Sequence, residues 1–258
     1  MTVPRMLAAL FAAAVTSLLA APAPAAIKTQ WIDYRQGDQA LQGYLAYDDS
    51  RSGKRPGVLL VHRRDGMSAM TQEDARRVAK LGYVVFAPDI YGKEFRPTEV
   101  KEMIALSRKF QDDRPLMRAR IAAGFDVLRS NKRVDPAKIA VIGYCFGGNV
   151  AVEFAEQGPP IVGSVIIHGS FRNFAPGAAK NIHGRMLILH GADDHEAPLS
   201  DINRLTGEMT AAKVGWELRL YSGTGHNFTA DAQNDDERHA NIESQIATAG
   251  FLKGVLGR

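Results

Sequence analysis

Beyond its first fifty residues the chain alternates short apolar or β-branched runs with stretches of helical periodicity. The runs fall at residues 57–61, 83–87, 138–143, 161–167, 185–189 and 216–221. Between them, positions recur every three or four residues: Ala75, Val78 and Ala79; Val100, Met103, Ile104 and Ser107; Met117, Ile121, Phe125 and Leu128; Leu199, Ile202, Leu205 and Met209. A final stretch with Ile242, Ile246 and Ala249 closes the chain. Parallel strands need crossover connections, so the alternation predicts an α/β fold with a mostly parallel central sheet and helices on both faces. Residues 31–36 and 40–47 flank the turn signal Gly37-Asp38 and predict an N-terminal β-hairpin. Thr71, with Asp74 three residues on, predicts the cap of the first helix. In such a sheet ligands bind beyond the carboxyl ends of the strands, so chemistry is sought in the residues that end each run.

Residues 1–26 have a different character. Arg5 supplies a positive charge, residues 6–20 an apolar run, and residues 21–26 a stretch of alanine and proline. This pattern predicts a secretory signal cut after Ala25 or Ala26, and hence a periplasmic or secreted protein. The apolar run is too short for a comfortable membrane span, so no anchor is expected. Residues 27–258 show no repeat, linker or shift in composition, which predicts a single domain. Removing Arg5 with the signal leaves 31 basic against 28 acidic residues, a mild excess with no block of like charge. A nucleic-acid partner is therefore not expected; a small-molecule substrate and a monomer are. The single cysteine, Cys145, rules out an internal disulfide in an exported chain. Its thiol is either a small buried hydrophobe or a reactive group.

The neighbours of Cys145 favour reactivity. The run ending at Gly143 leads into Gly143-Tyr144-Cys145-Phe146-Gly147-Gly148, and a helical Val150, Ala151, Phe154 pattern follows. This is the nucleophile-elbow pattern with cysteine in the serine position. A sharp strand-to-helix turn crowds its neighbours, so glycines flank it while the central side chain projects into the cleft. The turn also sets the thiol at a helix N-terminus, which favours thiolate. The competing reading is a glycine-rich packing turn with an inert thiol. Two further strand ends carry matching groups in the order nucleophile, acid, histidine. The run at 185–189 enters His190-Gly191-Ala192-Asp193-Asp194, and that at 216–221 is followed by Gly223-Thr224-Gly225-His226-Asn227-Phe228. A histidine there would take the thiol proton, and a carboxylate would hold its tautomer.

These residues, with Val58 to His62, the stretch from Gly82 to Gly92 and His168-Gly169, resemble the dienelactone hydrolase family of α/β-hydrolases over nearly all of residues 27–258, and its exported members in particular. The resemblance implies an α/β-hydrolase fold and cleavage of a small ester or lactone through a thioester, without cofactor. In the family the catalytic aspartate stands four residues before a proline, as Asp194 does before Pro198. It thus implies Cys145 as nucleophile, Asp194 as orienting acid, His226 as general base, and the Phe146 and Arg64 backbone N–H groups as oxyanion hole. The chain departs from the family at three places. Arg63 replaces the usual glutamate after His62, and Gly92 and Ala230 stand where dienelactone-cleaving members carry arginines for the substrate carboxylate. Substrate contacts are expected instead from Arg63, Tyr91 and Lys93, with Arg64, Arg96 and Arg172 as further cations for an anionic subsite.

Arg63 carries a sharper expectation. Placed near Cys145, its guanidinium would favour the thiolate that a glutamate would disfavour; the alternative is that it turns to Asp65 or solvent. His62, His168 and His190 each end a run and are expected to orient loops. His183, His195 and His239 lack metal-ligand spacing, so no metal is expected. A family member that binds a ligand without turnover, and a redox-responsive thiol protein, are the two rival readings. The latter would need an external thiol or sulfenic acid chemistry.

Overall fold

The computed structural model describes residues 27–171 and 177–257; the expected signal and Arg172 lie outside the described residues. Eight strands form one sheet: β1 (Ile27–Gln36), β2 (Gln39–Asp48), β3 (Arg55–Val61), β4 (Val84–Ala87), β5 (Val134–Tyr144), β6 (Gly163–Ile167), β7 (Arg185–Gly191) and β8 (Trp216–Tyr221). Their order is β1-β2-β4-β3-β5-β6-β7-β8. β1 pairs antiparallel with β2, and β2 with β4; every other pairing is parallel. The N-terminal hairpin thus extends one edge of a parallel sheet, as the periodicity predicts.

Among the described residues six α-helices cover the sheet: α1 (Ala69–Lys80), α2 (Val100–Asp112), α3 (Arg114–Ser130), α4 (Phe146–Ala155), α5 (Leu199–Ala211) and α6 (Asp235–Leu256). Successive strand residues point to opposite faces, which divides the core in two. Leu59 and Val61 of β3, with Ile139 and Val141 of β5, pack in one apolar cluster with α3, α4 and α5. Val58, Leu60, Ala140 and Ile142 pack in the other with α1 and α6. Among the described residues no helix is long and apolar enough to cross a membrane.

Two local expectations differ from the structure. Ser68, not Thr71, caps α1 and accepts from the Thr71 N–H, while Thr71 is buried inside the first turn. Asp74 is diverted from capping by two arginines, Arg63 and Arg77, that hold its carboxylate. In α6 the buried face is Ala240, Ser244, Ala247, Thr248, Leu252 and Leu256, whereas Ile242 and Ile246 are each 58% exposed. The inner face carries small side chains from Ala240 to Thr248 and then Leu252 and Leu256, so Ile242 and Ile246 do not mark it.

Near the end of α4, Glu156 is buried and neither carboxylate oxygen has a hydrogen-bond partner among the described residues. Burial, reinforced by the charge of Glu153, pushes its pKa from 4.5 up to about 8. The group is protonated in both folded and unfolded states below the lower value, so its ionisation then costs nothing. Its destabilising effect grows as pH rises towards the folded value and levels off above it. Glu156→Gln is therefore expected to raise stability by roughly 2–4 kcal/mol near pH 8, discounted for the partial solvent access of the group, and to leave it unchanged near pH 4 in urea unfolding. An equal gain at both pH values would contradict this origin.

Candidate active site

β5 enters α4 through Cys145, whose backbone sits at φ 52° and ψ −117°, outside the regions open to most L-residues. Such strain persists only where the surroundings enforce it. A Cβ at Gly143 would stand 2.1 Å from the Gly147 carbonyl oxygen, and one at Gly147 would stand 2.4 Å from the Val61 carbonyl oxygen. Both positions must lack a side chain for strand and helix to meet at this angle, while the Cys145 N–H is held by the Ile167 carbonyl at 3.0 Å.

The loops after β7 and β8 converge on this thiol. His226 Nε2 lies 3.0 Å from Cys145 Sγ, and its Nδ1–H donates to Asp194 Oδ2 at 2.8 Å. All three residues are buried. Asp194 is held in turn: its Oδ1 accepts the backbone N–H groups of Glu196 and Ala197, each at 2.9 Å. His190 Nε2–H donates to the Ala197 carbonyl at 2.8 Å and closes the same loop. On the histidine side, Glu237 at the start of α6 accepts the N–H groups of Gly225 and Gln233, at 3.0 and 2.6 Å. Asp193 is exposed and has no such place; its N–H bonds the Thr224 carbonyl.

The electrostatics follow from this geometry. Burial pushes the Cys145 thiol up, but the His226 hydrogen bond and charge, the Arg64 cation and the Phe146 N–H outweigh it, so the thiol ionises below its ordinary value. Burial alone would lower His226; hydrogen bonds and charge from Asp194 and Cys145 raise it instead to about 10. Asp194 is opposed by burial and nevertheless stays below the usual carboxylate value because His226 pairs with it. The arrangement thus favours the charged pair, thiolate beside imidazolium, over the neutral one.

The other site candidates have definite partners. Arg63 is buried, with Nη1 2.6 Å from Asp74 Oδ2 and Nη2 donating to Thr229 Oγ1 at 3.0 Å. Its guanidinium lies 4.2 Å from the Tyr144 ring centre. It turns neither to Asp65 nor to solvent, and the cation that acts on the thiol is its neighbour Arg64. Arg64 pairs with Glu196, joining the loop after β3 to the loop that carries Asp194. Tyr91 is buried and donates its hydroxyl to the Arg64 carbonyl at 3.2 Å, steadying the peptide next to the expected oxyanion hole. Lys93 lies away on the hairpin edge, paired with Asp33 at 2.8 Å. Arg96 is spent on Asp89 and the Gly92 carbonyl.

His62 orients loops as expected: its Nδ1–H donates to the Arg63 carbonyl at 2.6 Å, and Nε2 accepts the Ile90 N–H at 3.3 Å. His168 is fully buried at the end of β6, with φ 39° and Nε2 2.6 Å from Thr229 Oγ1. A recess of about 220 Å³ is lined by Arg64, Ser107, Arg108, Gln111, Ser170 and Glu196, with Ile104 as its apolar wall. Sequence reasoning missed Glu196, Asp74 and Thr229. Glu196 and Thr229 stand two and three residues beyond Asp194 and His226, and proximity to those residues is the only signal that marks them.

Comparison with known proteins agrees with this architecture. A protein of Yersinia pestis provisionally named carboxymethylenebutenolidase is 29% identical over 208 residues, 76% of each chain. Among solved structures, one named m3DLH superposes with a TM-score of 0.84 at 30% identity, covering 89% of this chain and 99% of its own. A dienelactone hydrolase-like promiscuous phosphotriesterase from metagenomic libraries gives a TM-score of 0.83 at 28% identity, with the same coverage. The model of the dienelactone hydrolase family matches residues 41–256, and with the α/β-hydrolase architecture described above this chain belongs to that family.

Proposed function

We propose that the protein is an exported hydrolase of small carboxylic esters or lactones, with Cys145 as nucleophile, His226 as general acid and base, and Asp194 as the residue that orients it. The observation that carries this reading is the position of His226 between Cys145 Sγ and the Asp194 carboxylate. The charged pair supplies a nucleophile and a poised proton in one step. Export rests on the character of residues 1–26 alone.

In this mechanism the Cys145 thiolate attacks the substrate carbonyl carbon. The Phe146 and Arg64 backbone N–H groups receive the oxyanion; His62, bonded to the Arg63 carbonyl, fixes the peptide that carries the Arg64 N–H, and Tyr91, bonded to the Arg64 carbonyl, fixes the next one along. Collapse of the tetrahedral adduct forms a thioester as the alkoxide leaves with the His226 proton. His226, now neutral, takes a proton from water. The resulting hydroxide adds to the thioester, the acid is released, and the thiolate–imidazolium pair is restored. Asp194 keeps Nδ1 protonated throughout, so Nε2 alone exchanges protons with sulfur, alkoxide and water. The small recess beside Arg64 and Glu196 suits compact substrates.

Turnover of p-nitrophenyl acetate by the purified protein tests the assignment. Cys145→Ala and His226→Ala are each expected to lower kcat by roughly 10³-fold or more, and Asp194→Asn by roughly 10²–10⁴-fold. A Cys145→Ala variant with the wild-type rate would rule out the mechanism. A panel of lactones, esters and a phosphotriester then separates substrate classes.

The charge state makes a second, independent prediction. Iodoacetamide labelling of Cys145 is expected to reach its half-maximal rate below about pH 8.5, the free-cysteine value. His226→Ala is expected to move that midpoint upward, because burial is then opposed only by Arg64 and the Phe146 N–H. A wild-type midpoint at or above the free value would contradict the ion pair.

A further inference from the structure

The triad does not account for His168. This histidine is fully buried and its Nδ1 has no hydrogen-bond partner among the described residues, although the Nε2 side is held by Thr229. A buried polar atom left unsatisfied is costly, which calls for a reason. Its ring centre lies 5.2 Å from that of His226. A ring nitrogen of His168, a ring nitrogen of His226 and Cys145 Sγ all lie within 4.8 Å of one another.

We infer that Cys145, His168 and His226 form a binding site for a borderline-soft divalent cation such as Zn²⁺, which switches the nucleophile off when it binds. One thiolate and two imidazoles are a donor set that zinc takes and that hard cations such as Mg²⁺ do not. The surroundings meet the other requirements of such a site. Asp194 accepts the Nδ1–H of His226, the carboxylate–histidine arrangement that orients a metal-bound imidazole. Thr229 plays the corresponding part for His168. The two arginines beside the site are each paired with a carboxylate, Arg63 with Asp74 and Arg64 with Glu196.

The Cys145–His226 pair requires little adjustment, and His168 closes on the cation from within 4.8 Å. Metal bonds of about 2.3 Å to sulfur and 2.0–2.1 Å to nitrogen at a tetrahedral angle separate the two donors by about 3.6 Å. Cys145 Sγ and His226 Nε2 now stand 3.0 Å apart, so the pair would open by roughly half an ångström. The proton balance is simple: the proton shared by Cys145 and His226 leaves to solvent as the cation enters, one per metal, and no electron moves. Binding therefore tightens as pH rises. With the thiolate and His226 lone pair both committed to metal, neither attack nor proton transfer is available. The inhibitory consequence rests on the hydrolase assignment above; the coordination itself does not.

The test uses the purified protein with Co²⁺ as a spectroscopic stand-in for Zn²⁺. The expected result is one Co²⁺ bound per chain, with a thiolate-to-metal charge-transfer band in the near ultraviolet. The band should be absent in Cys145→Ser, and the affinity for Co²⁺ and Zn²⁺ should fall about 10-fold or more in His168→Gln. Zn²⁺ should also suppress p-nitrophenyl acetate turnover, with recovery on adding EDTA and no effect of Mg²⁺. Absence of the thiolate band in the wild type, or wild-type affinity in His168→Gln, would overturn the site. If His168→Gln fails to fold, protection of Cys145 from iodoacetamide by Zn²⁺ but not by Mg²⁺ decides the matter in the wild type, and lack of protection overturns it. Co²⁺ binding without any ester turnover would sink the hydrolase reading and leave the metal site standing; turnover without Co²⁺ binding would do the reverse.

Discussion

The turn at Cys145 is the constraint on which the rest of the site depends. A strand of a parallel sheet must reverse into a helix within one residue, and that residue takes a backbone conformation that L-side chains avoid. The strain is tolerated because Gly143 and Gly147 let strand, helix and the end of β3 approach to distances that no side chain would allow. In return the thiol is presented at the N-terminal end of α4 and faces the loops from β7 and β8. Without the close approach there would be no shared point for Cys145, Asp194 and His226, which are contributed by segments far apart in the chain.

The charges around the thiol then divide into two layers. Next to the sulfur, His226 and Arg64 stabilise the thiolate against the cost of burying it. Behind them lies a second set of pairs: Arg63 with Asp74, Arg64 with Glu196, and Glu237 with the backbone of the His226 loop. Buried ions without partners are expensive, and Arg63 and Arg64 are each matched by a carboxylate. These pairs fix the loops more than they add stability. Arg63 exemplifies this, since its guanidinium connects α1, the ring of Tyr144 and the Thr229 hydroxyl.

Much of this was legible in the residues themselves, and what was not has a physical cause. The parallel sheet, the hairpin and the strand-end positions of Cys145, Asp194 and His226 follow from periodicities and glycine placements that are local. The partner of a long cationic side chain is not local. Nothing near Arg63 indicates that it meets Asp74 on α1 and Thr229 after β8 rather than Asp65, because its choice is made by burial and by geometry created elsewhere. Lys93 is similar, its partner Asp33 lying on the hairpin. The inner face of α6 was hidden for a different reason: it carries Ala240, Ser244, Ala247 and Thr248 ahead of Leu252 and Leu256, and a hydropathy pattern points to Ile242 and Ile246 instead.

The central claim is that Cys145 sulfur itself becomes acylated. Rapid acid quench of the protein mixed with p-nitrophenyl acetate, followed by mass spectrometry of its peptides, reads this directly. The account predicts one acetyl group, carried by the peptide that contains Cys145, appearing before steady state and accumulating when deacylation is slowed by low pH. Product formation with no acyl group on Cys145, or with the label on another residue, would contradict it.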